Sequence, residues 1–259
     1  MKKILSIVMS TSIIICSLFC FNSTAFADGW INYVQEVNLN QTNSTAFDSS
    51  DFSIQRFYTY YYKSFKFTVP EKGIVSVNLD SEEGNLAIGS WYYIYKQTDL
   101  ENYIYCSQNQ SDEQGNGYMS AYDRYYSKRN VSLSAGDYYL VFESLNDYLN
   151  TEYNFTINYK PTFPNTTISK LAPKKKAFKV NFKNCSNVSG YQVKYSTNKN
   201  MTSSKTVNVS SSASSKTVKT LKSKKTYYVK VRTYKTVNVN GANKTYYGKW
   251  SKAKAVKTK

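Results

Sequence analysis

The sequence predicts an all-β protein with two tandem antiparallel β-sandwiches behind a cleaved export signal. Short segments along the chain alternate apolar and polar residues, and no stretch of about twelve residues has a helical period. The 259 residues are too many for one ordinary sandwich and suit two domains. Tyrosine contributes 26 residues, against ten Gly and four Pro, which excludes disordered and collagen-like chains.

The charge distribution divides the chain near Lys160, and an abrupt change of this kind marks a domain boundary. Residues 28–160 carry all 17 Asp and Glu residues and nine Lys and Arg residues, a formal charge of −8. Residues 161–259 carry 23 Lys and Arg residues and no acid. We therefore expect a first domain at 28–160 and a second at 161–259, with surfaces that attract different partners.

Residues 1–27 have the pattern of an export signal peptide. Two lysines precede the apolar run Ile4–Phe21, and Ala25-Phe26-Ala27 supplies a small-x-small cleavage pattern. The alternative is an uncleaved membrane anchor, because about 18 apolar residues nearly span a bilayer. Polar residues just before Ala25 favour cleavage, so we expect a secreted, extracellular protein with no membrane span once the signal is removed.

Histidine is absent, which excludes Ser-His-Asp and Cys-His catalysis and histidine-ligated metals. Of the four cysteines, Cys16 and Cys20 leave with the signal, and Cys106 and Cys185 stay in different domains. A disulfide between these two needs Cα atoms roughly 4.4–6.8 Å apart, so two free thiols are the favoured alternative. Two lone cysteines build no metal site without histidines.

The first domain reads as short alternating strands, most clearly at Phe65–Val69 and Val75–Leu79 on either side of a turn. The runs YYKSFKFTVPEKGIVSVNL, VSLSAGDYYLVF and EYNFTINY resemble the jelly-roll-like bacterial pre-peptidase C-terminal (PPC) β-sandwich over most of residues 31–160. The resemblance implies a non-catalytic appendage of secreted enzymes and surface proteins. Some relatives bind calcium, but their ligand positions have no residue-by-residue match here. The sequence therefore assigns no cofactor and no metal ligand, and calcium stays an alternative.

The second domain predicts seven strands in about 95 residues, the number in an immunoglobulin-like sandwich. Asn240-Gly241 predicts a hairpin. The runs SGYQVKYST, LKSKKTYYVKVRTY and YYGKWSKAKAVKTK resemble the third, sixth and last strands of a fibronectin type III domain. The resemblance implies that the hydroxyl of Tyr227, six residues after Leu221, ties back to the preceding loop. It also places Phe178 where a core tryptophan often packs. Lysine-rich endings of this type are typical of secreted and surface proteins of Gram-positive bacteria.

Tyrosine-rich runs in the first domain are candidates for ligand stacking. Aromatic residues occupy both faces of these runs, so some rings are expected to face solvent, where they suit sugars or peptides. The alternative is that tyrosine fills the core as Phe and Leu do, with hydroxyls reaching water. The candidate stacking residues are Tyr60, Tyr61, Tyr62, Tyr125 and Tyr126.

The 23 basic residues of the second domain are candidates for polyanion binding. They could instead be outward strand faces that keep the protein soluble. A mixture of Lys and Glu would serve solubility as well, whereas uncompensated like charge destabilises a fold unless a polyanion relieves it. Teichoic acids of the cell wall are such a polyanion. The densest clusters are Lys174, Lys175 and Lys176, and Lys222, Lys224 and Lys225.

Three functions are compared. We favour a secreted, monomeric, non-catalytic adhesion protein: the basic domain associates with an anionic cell-wall polymer, and the Tyr-rich domain meets an extracellular glycan or matrix protein. A small carboxylate-dependent glycoside hydrolase needs two carboxylates about 5–9 Å apart in a cleft, and the pairs Asp48/Asp51, Glu82/Glu83 and Asp112/Glu113 lie in loop-like stretches. Extracellular nucleic-acid binding is the third function, although a single arginine in the basic domain argues against base-specific reading.

Overall fold

The computed structural model describes residues 34–55, 59–80, 91–106, 130–145 and 152–259. The regular elements in these ranges are all strands, which confirms the all-β prediction. By the clustering of contacts the chain has two compact units. The described residues before Tyr159 form the first unit, except for the short segments Pro70–Ile74 and Ser132–Ser134, which belong with Tyr159–Lys259 in the second.

The first sandwich has two sheets, and the ends of three of its strands, at 73–74, 132–133 and 159–161, are grouped with the second unit. Its strands are β1 (Val34–Glu36), β2 (Thr42–Ala46), β3 (Phe52–Gln55), β4 (Thr59–Val69), β5 (Gly73–Asp80), β6 (Trp91–Lys96), β7 (Asp99–Cys106), β8 (Val131–Leu133), β9 (Gly136–Leu145) and β10 (Glu152–Pro161). One sheet has the order β1-β4-β9-β6-β7, with β3 also paired to β4, and the other has the order β2-β10-β5-β8. The β1–β4 pair is parallel, which differs from the predicted fully antiparallel arrangement.

An aromatic core lies between these two sheets. Phe65 on β4 packs against Phe155 on β10, with ring centroids 4.7 Å apart. Phe142 on β9 also meets Phe155, at 5.1 Å. Alternation along β4 places Phe65, Phe67 and Val69 on this buried face, as the sequence predicts. Contacts from both sheets to a shared ring are what makes the unit a sandwich.

The second unit is a smaller sandwich of two sheets. Its strands are β11 (Ile168–Lys174), β12 (Ala177–Phe182), β13 (Gly190–Ser196), β14 (Lys205–Ser210), β15 (Ser215–Val218), β16 (Thr226–Val239), β17 (Ala242–Tyr247) and β18 (Lys254–Lys257). One sheet has the order β11-β12-β15, and the other has the order β14-β13-β16-β17, with β18 also paired to β16. The sequence predicts seven strands, and this stretch forms eight. The final predicted strand is divided at 248–253 into β17 and β18, both of which pair with the long β16.

The core of the second unit joins both sheets around Phe178. This ring is fully buried and contacts the rings of Tyr195 and Tyr227, at 5.9 Å and 6.1 Å between centroids. The hydroxyl of Tyr227 accepts a hydrogen bond from the Lys222 backbone nitrogen at 3.1 Å. The tie from Tyr227 to the preceding loop is therefore present as predicted.

The β16–β17 hairpin turns at Asn240 and Gly241, whose φ angles are 53° and 79°. Both values are positive, as in the type I′ turn that matches the right-handed twist of a hairpin. The Asn-Gly signal in the sequence is therefore confirmed. The turn keeps β17 beside β16, which matters for the outer face of the five-stranded sheet described below.

Candidate polyanion-binding surface

Three segments of the second unit meet at one end of its sandwich. They are the β11–β12 turn at 174–176, the β15–β16 connection at 219–225, and residues 257–259 at the end of β18 and just beyond it. We call this end the basic pole. Its lysines, all exposed, are Lys174, Lys175, Lys176, Lys219, Lys222, Lys224, Lys225, Lys257 and Lys259. The structure thus brings the two predicted lysine clusters together, and it adds Lys219, Lys257 and Lys259, which the sequence analysis did not single out.

Backbone hydrogen bonds hold the three segments of the basic pole together. The Lys176 nitrogen donates to the Lys259 oxygen at 3.0 Å, and the Lys259 nitrogen donates to the Lys174 oxygen at 2.9 Å. The Leu221 nitrogen donates to the Lys176 oxygen at 2.9 Å, which joins the two predicted clusters directly. These bonds fix the chain segments that carry the lysines.

Thr258 is the buried centre of the basic pole. Its hydroxyl donates to the Lys222 oxygen at 2.6 Å and accepts from the Lys225 nitrogen at 3.1 Å. Its own backbone nitrogen donates to the Lys225 oxygen at 3.0 Å. One side chain therefore closes the 222–225 turn from inside, while the lysines of that turn stay in solvent.

Three residues of the basic pole have left-handed backbone without being glycine. The φ angles are 49° at Lys176, 60° at Thr220 and 53° at Lys224. Such a conformation costs about 1–2 kcal/mol for an L-residue, and a β-branched residue such as Thr adopts it rarely. The hydrogen bonds around these residues offset the strain, so the turn geometry is imposed by tertiary contacts.

In the described part of the chain, no lysine of the basic pole pairs with a carboxylate. The ion pair found in the described part of the second unit joins the Lys235 ammonium to the Glu71 carboxylate at 3.0 Å, and Lys235 does not belong to the basic pole. Lysines placed this close repel one another, and nearby polyanion charge would relieve that repulsion. Lysine ammonium groups act as hydrated point charges, so the pole suits affinity for dense negative charge without demanding one geometry.

Two of the five candidate stacking tyrosines, Tyr61 and Tyr62, are buried and unavailable to a ligand. Tyr61 and Tyr62 are 8% and 3% exposed, so neither ring offers a face to a ligand. Tyr62 belongs to a buried cluster with Tyr95, Tyr139 and Val141 on one side of the six-stranded sheet. Because side chains alternate along a strand, Tyr61 lies on the opposite side of the sheet, the same side as Phe65. Other side chains therefore cover β4 on both faces of the sheet at Tyr61 and Tyr62. Tyr60 lies in β4, but its side chain is outside the described part of the structure. Tyr125 and Tyr126 lie wholly outside the described residues.

The loop carboxylates Asp48 and Asp51 build a turn. The Asp48 carboxylate accepts from the Ser50 nitrogen at 2.7 Å and from the Ser50 hydroxyl, and these bonds lower the pKa of Asp48. Asp51 accepts from the Asp48 nitrogen at 2.7 Å and pairs with Lys63 at 3.1 Å. Within the described ranges no three acidic, cysteine or histidine side chains gather as a metal site requires. The pairs Glu82/Glu83 and Asp112/Glu113 lie outside them.

The Cys185 thiol is free and partly buried. The sulfur of Cys185 lies 3.6 Å from the Asn165 carbonyl oxygen. The Cys106 side chain lies outside the described residues. In the part of the chain that the structure describes, no helix has the length and apolar character needed to cross a bilayer.

A second surface feature escaped the sequence analysis: a stack of cations and aromatic rings on the outer face of the five-stranded sheet. The Arg232 guanidinium carbon lies 4.0 Å from the ring centroid of Tyr247 and 4.3 Å from that of Trp250. The Lys194 ammonium lies 5.4 Å from the same Trp250 ring. The sequence offers one signal for this feature: Arg232 is the single arginine among the 23 basic residues of 161–259.

Comparison with known proteins gives weak matches. No protein-family model matches the sequence, and no curated protein is significantly similar to it. Among solved structures, a pre-peptidase C-terminal domain of a Bacillus anthracis collagenase is 15% identical with a TM-score of 0.33, over 48% of this chain and 94% of that one. Chicken CNTN1 FN1–FN3 domains are 14% identical with a TM-score of 0.31, over 66% and 53%.

A third match is the β-1,2-glucanase of Parabacteroides distasonis. It is 11% identical with a TM-score of 0.26, over 87% of this chain and 38% of that one. The solved structures that resemble this chain therefore include a PPC domain, fibronectin-type domains and an enzyme, all at low similarity. The architecture of the protein rests on its own strand pairing and cores.

Proposed function

We propose that this protein is a secreted, non-catalytic binding protein whose second unit adheres to an anionic polymer of the cell surface. The observation that carries the proposal is the basic pole, where two lysine clusters distant in sequence are joined by hydrogen bonds between their backbones. The sequence resemblances to PPC and fibronectin type III modules support an accessory role, since both are binding appendages. The signal-like residues 1–27 support export.

The proposed mode of binding is electrostatic adherence. A polymer that presents closely spaced phosphates gains affinity by releasing its counterions when lysines replace them, and it loses affinity as salt rises. Teichoic acid of a Gram-positive wall is the expected polymer. The first unit, with its net negative charge, is expected to point away from such a polymer and to meet an uncharged or basic partner.

Neutralising the basic pole is expected to release the protein from cell walls. The variant carries Lys174→Gln, Lys175→Gln, Lys222→Gln and Lys225→Gln, none of which occupies a left-handed position. The slope of log affinity against log salt concentration should fall in magnitude by roughly three for four lost contacts. Co-sedimentation of the chain from residue 28 with isolated walls, across a salt series, measures this slope.

The matched control removes four exposed lysines elsewhere in the same unit: Lys183, Lys199, Lys205 and Lys252. Both variants have the same net charge, so a pole-specific role predicts that the control retains most of the binding. Equal losses in the two variants would reduce the effect to overall charge. Walls stripped of teichoic acid should bind less, and tighter binding to double-stranded DNA at matched salt would instead favour a nucleic-acid ligand.

A further inference from the structure

The outer face of the five-stranded sheet holds a guanidinium whose orientation is fixed. The Arg232 guanidinium, on β16, lies over the rings of both Tyr247 and Trp250. Its Nε donates a hydrogen bond to Gln192 Oε1 at 2.9 Å, from the neighbouring strand β13. Gln192 in turn donates to Asn208 Oδ1 on β14 at 3.0 Å. The register places these three residues in one row across the sheet.

The aromatic partner Trp250 is itself held in position. The adjacent Ser251 nitrogen donates to the Val231 oxygen at 2.8 Å, and the Val231 nitrogen donates to the Ser251 hydroxyl at 3.0 Å. These two bonds attach the segment between β17 and β18 to β16. Burial by these neighbours lowers the pKa of Arg232 through loss of solvation, although guanidinium stays charged at physiological pH.

The terminal amino groups of Arg232 have no hydrogen-bond acceptor among the described residues. The two Nη groups therefore offer four N–H donors on a guanidinium that the Gln192 hydrogen bond and the two ring contacts hold in place. A planar fork of this kind matches the two oxygens of a carboxylate, and it loses little side-chain entropy when it binds because it is already ordered.

Two further cations add positive charge to this place. Lys194 and Lys230 lie directly opposite each other on β13 and β16, two residues along the sheet from Arg232. Like charges facing each other on neighbouring strands destabilise a sheet, and an anion bound beside them would relieve the repulsion. Among the described residues neither lysine has a carboxylate partner.

The groups around Arg232 also suit a sugar. The ring of Tyr247 is 45% exposed and lies next to the guanidinium, so it can pack against the apolar face of a pyranose. The side-chain nitrogen of exposed Asn208 has no partner in the described part of the chain and can donate to a hydroxyl. We propose that Arg232, Tyr247 and Asn208 form a binding site for an acidic saccharide, with the sugar carboxylate held by the Arg232 fork.

This site is separate from the basic pole, and its test does not depend on the pole. Isothermal titration of the chain from residue 28 uses three probes: a galacturonate trisaccharide, a galactose trisaccharide and inorganic phosphate. The galacturonate trisaccharide should bind, and the neutral one should bind at least about tenfold more weakly, because it lacks the charge-assisted bonds. Equal binding of both sugars, or tighter binding of phosphate, would overturn the proposal.

The decisive variant is Arg232→Lys, which keeps the charge and removes the fork. Affinity for the galacturonate trisaccharide should fall at least about tenfold. The control Lys257→Gln removes a charge at the basic pole and should leave this affinity unchanged. If Arg232→Lys binds like the unaltered protein, the fork has no role and the proposal fails.

A second variant tests the same site in case Arg232→Lys does not fold. Gln192→Glu is nearly isosteric and places a carboxylate beside Arg232, where it competes with the ligand carboxylate. It should weaken binding of the galacturonate trisaccharide while leaving the melting temperature close to that of the unaltered protein. Full affinity in a folded Gln192→Glu protein would contradict the assignment even if Arg232→Lys could not be purified.

Discussion

Replacing Phe178 by alanine is expected to lower the free energy of unfolding of the second unit by about 3–5 kcal/mol. The ring is fully buried and contacts Tyr195 and Tyr227, so no rearrangement of a neighbour readily fills the space. A loss of this size is a large fraction of the stability of a small domain, about 5–15 kcal/mol. The unit should therefore become marginal.

Hydrogen exchange followed by mass spectrometry measures this loss, because peptides from β12, β13 and β16 report the second unit alone. Phe178→Leu is the matched control and should lose less stability than the alanine variant, since leucine leaves a smaller cavity. If alanine and leucine have the same effect, Phe178 does not hold the two sheets together.

Replacing Gly190 by alanine is expected to destabilise the second unit by about 1–3 kcal/mol, toward the upper end of what overpacking produces. An added Cβ would lie 2.6 Å from the Tyr234 hydroxyl oxygen and 2.7 Å from the Val209 carbonyl oxygen. The side chain of Tyr234 can move away, but the backbone of β14 cannot do so without loss of its pairing with β13. Thermal unfolding of the purified variant measures the change.

The double variant Gly190→Ala with Tyr234→Leu tests this account of the crowding. Leucine removes the phenol that the new methyl group meets, so part of the stability should return, while the contact with the Val209 carbonyl persists. A double-mutant cycle gives the coupling between the two positions. No coupling would mean that the backbone contact alone decides the loss.

The strands could be predicted from the sequence because a two-residue period is a local property. Phe65, Phe67 and Val69 alternate with polar residues and are buried. This alternation can be read without knowing which strands pair with β4. The Asn240-Gly241 turn was also predictable, since it depends on two adjacent residues, and the Tyr227 tie was what the resemblance to fibronectin type III domains implied. The interruption between β17 and β18 was not predicted, because the resemblance placed the whole run YYGKWSKAKAVKTK in the last strand.

The candidate sites were less predictable because they depend on which distant segments meet. The sequence marked two lysine clusters, but only folding places them beside residues 257–259. Tyr61 and Tyr62 have the right chemistry for stacking, yet β4 lies inside its sheet and both of its faces are covered. The Arg232 stack was missed because its members come from β13, β16, β17 and the segment after β17.

The hydrogen bonds that tie 174–176, 222–225 and 257–259 to one another have a kinetic consequence. A ligand that meets lysines on an ordered backbone does not have to wait for the turns to rearrange, so encounter is governed by diffusion and long-range attraction. We expect ionic strength to act mainly on the association rate. The dissociation rate should depend on how many phosphates must separate from lysines at the same time. Short fragments of the polymer should then exchange rapidly, whereas long chains should stay attached through many weak contacts that rarely break at once.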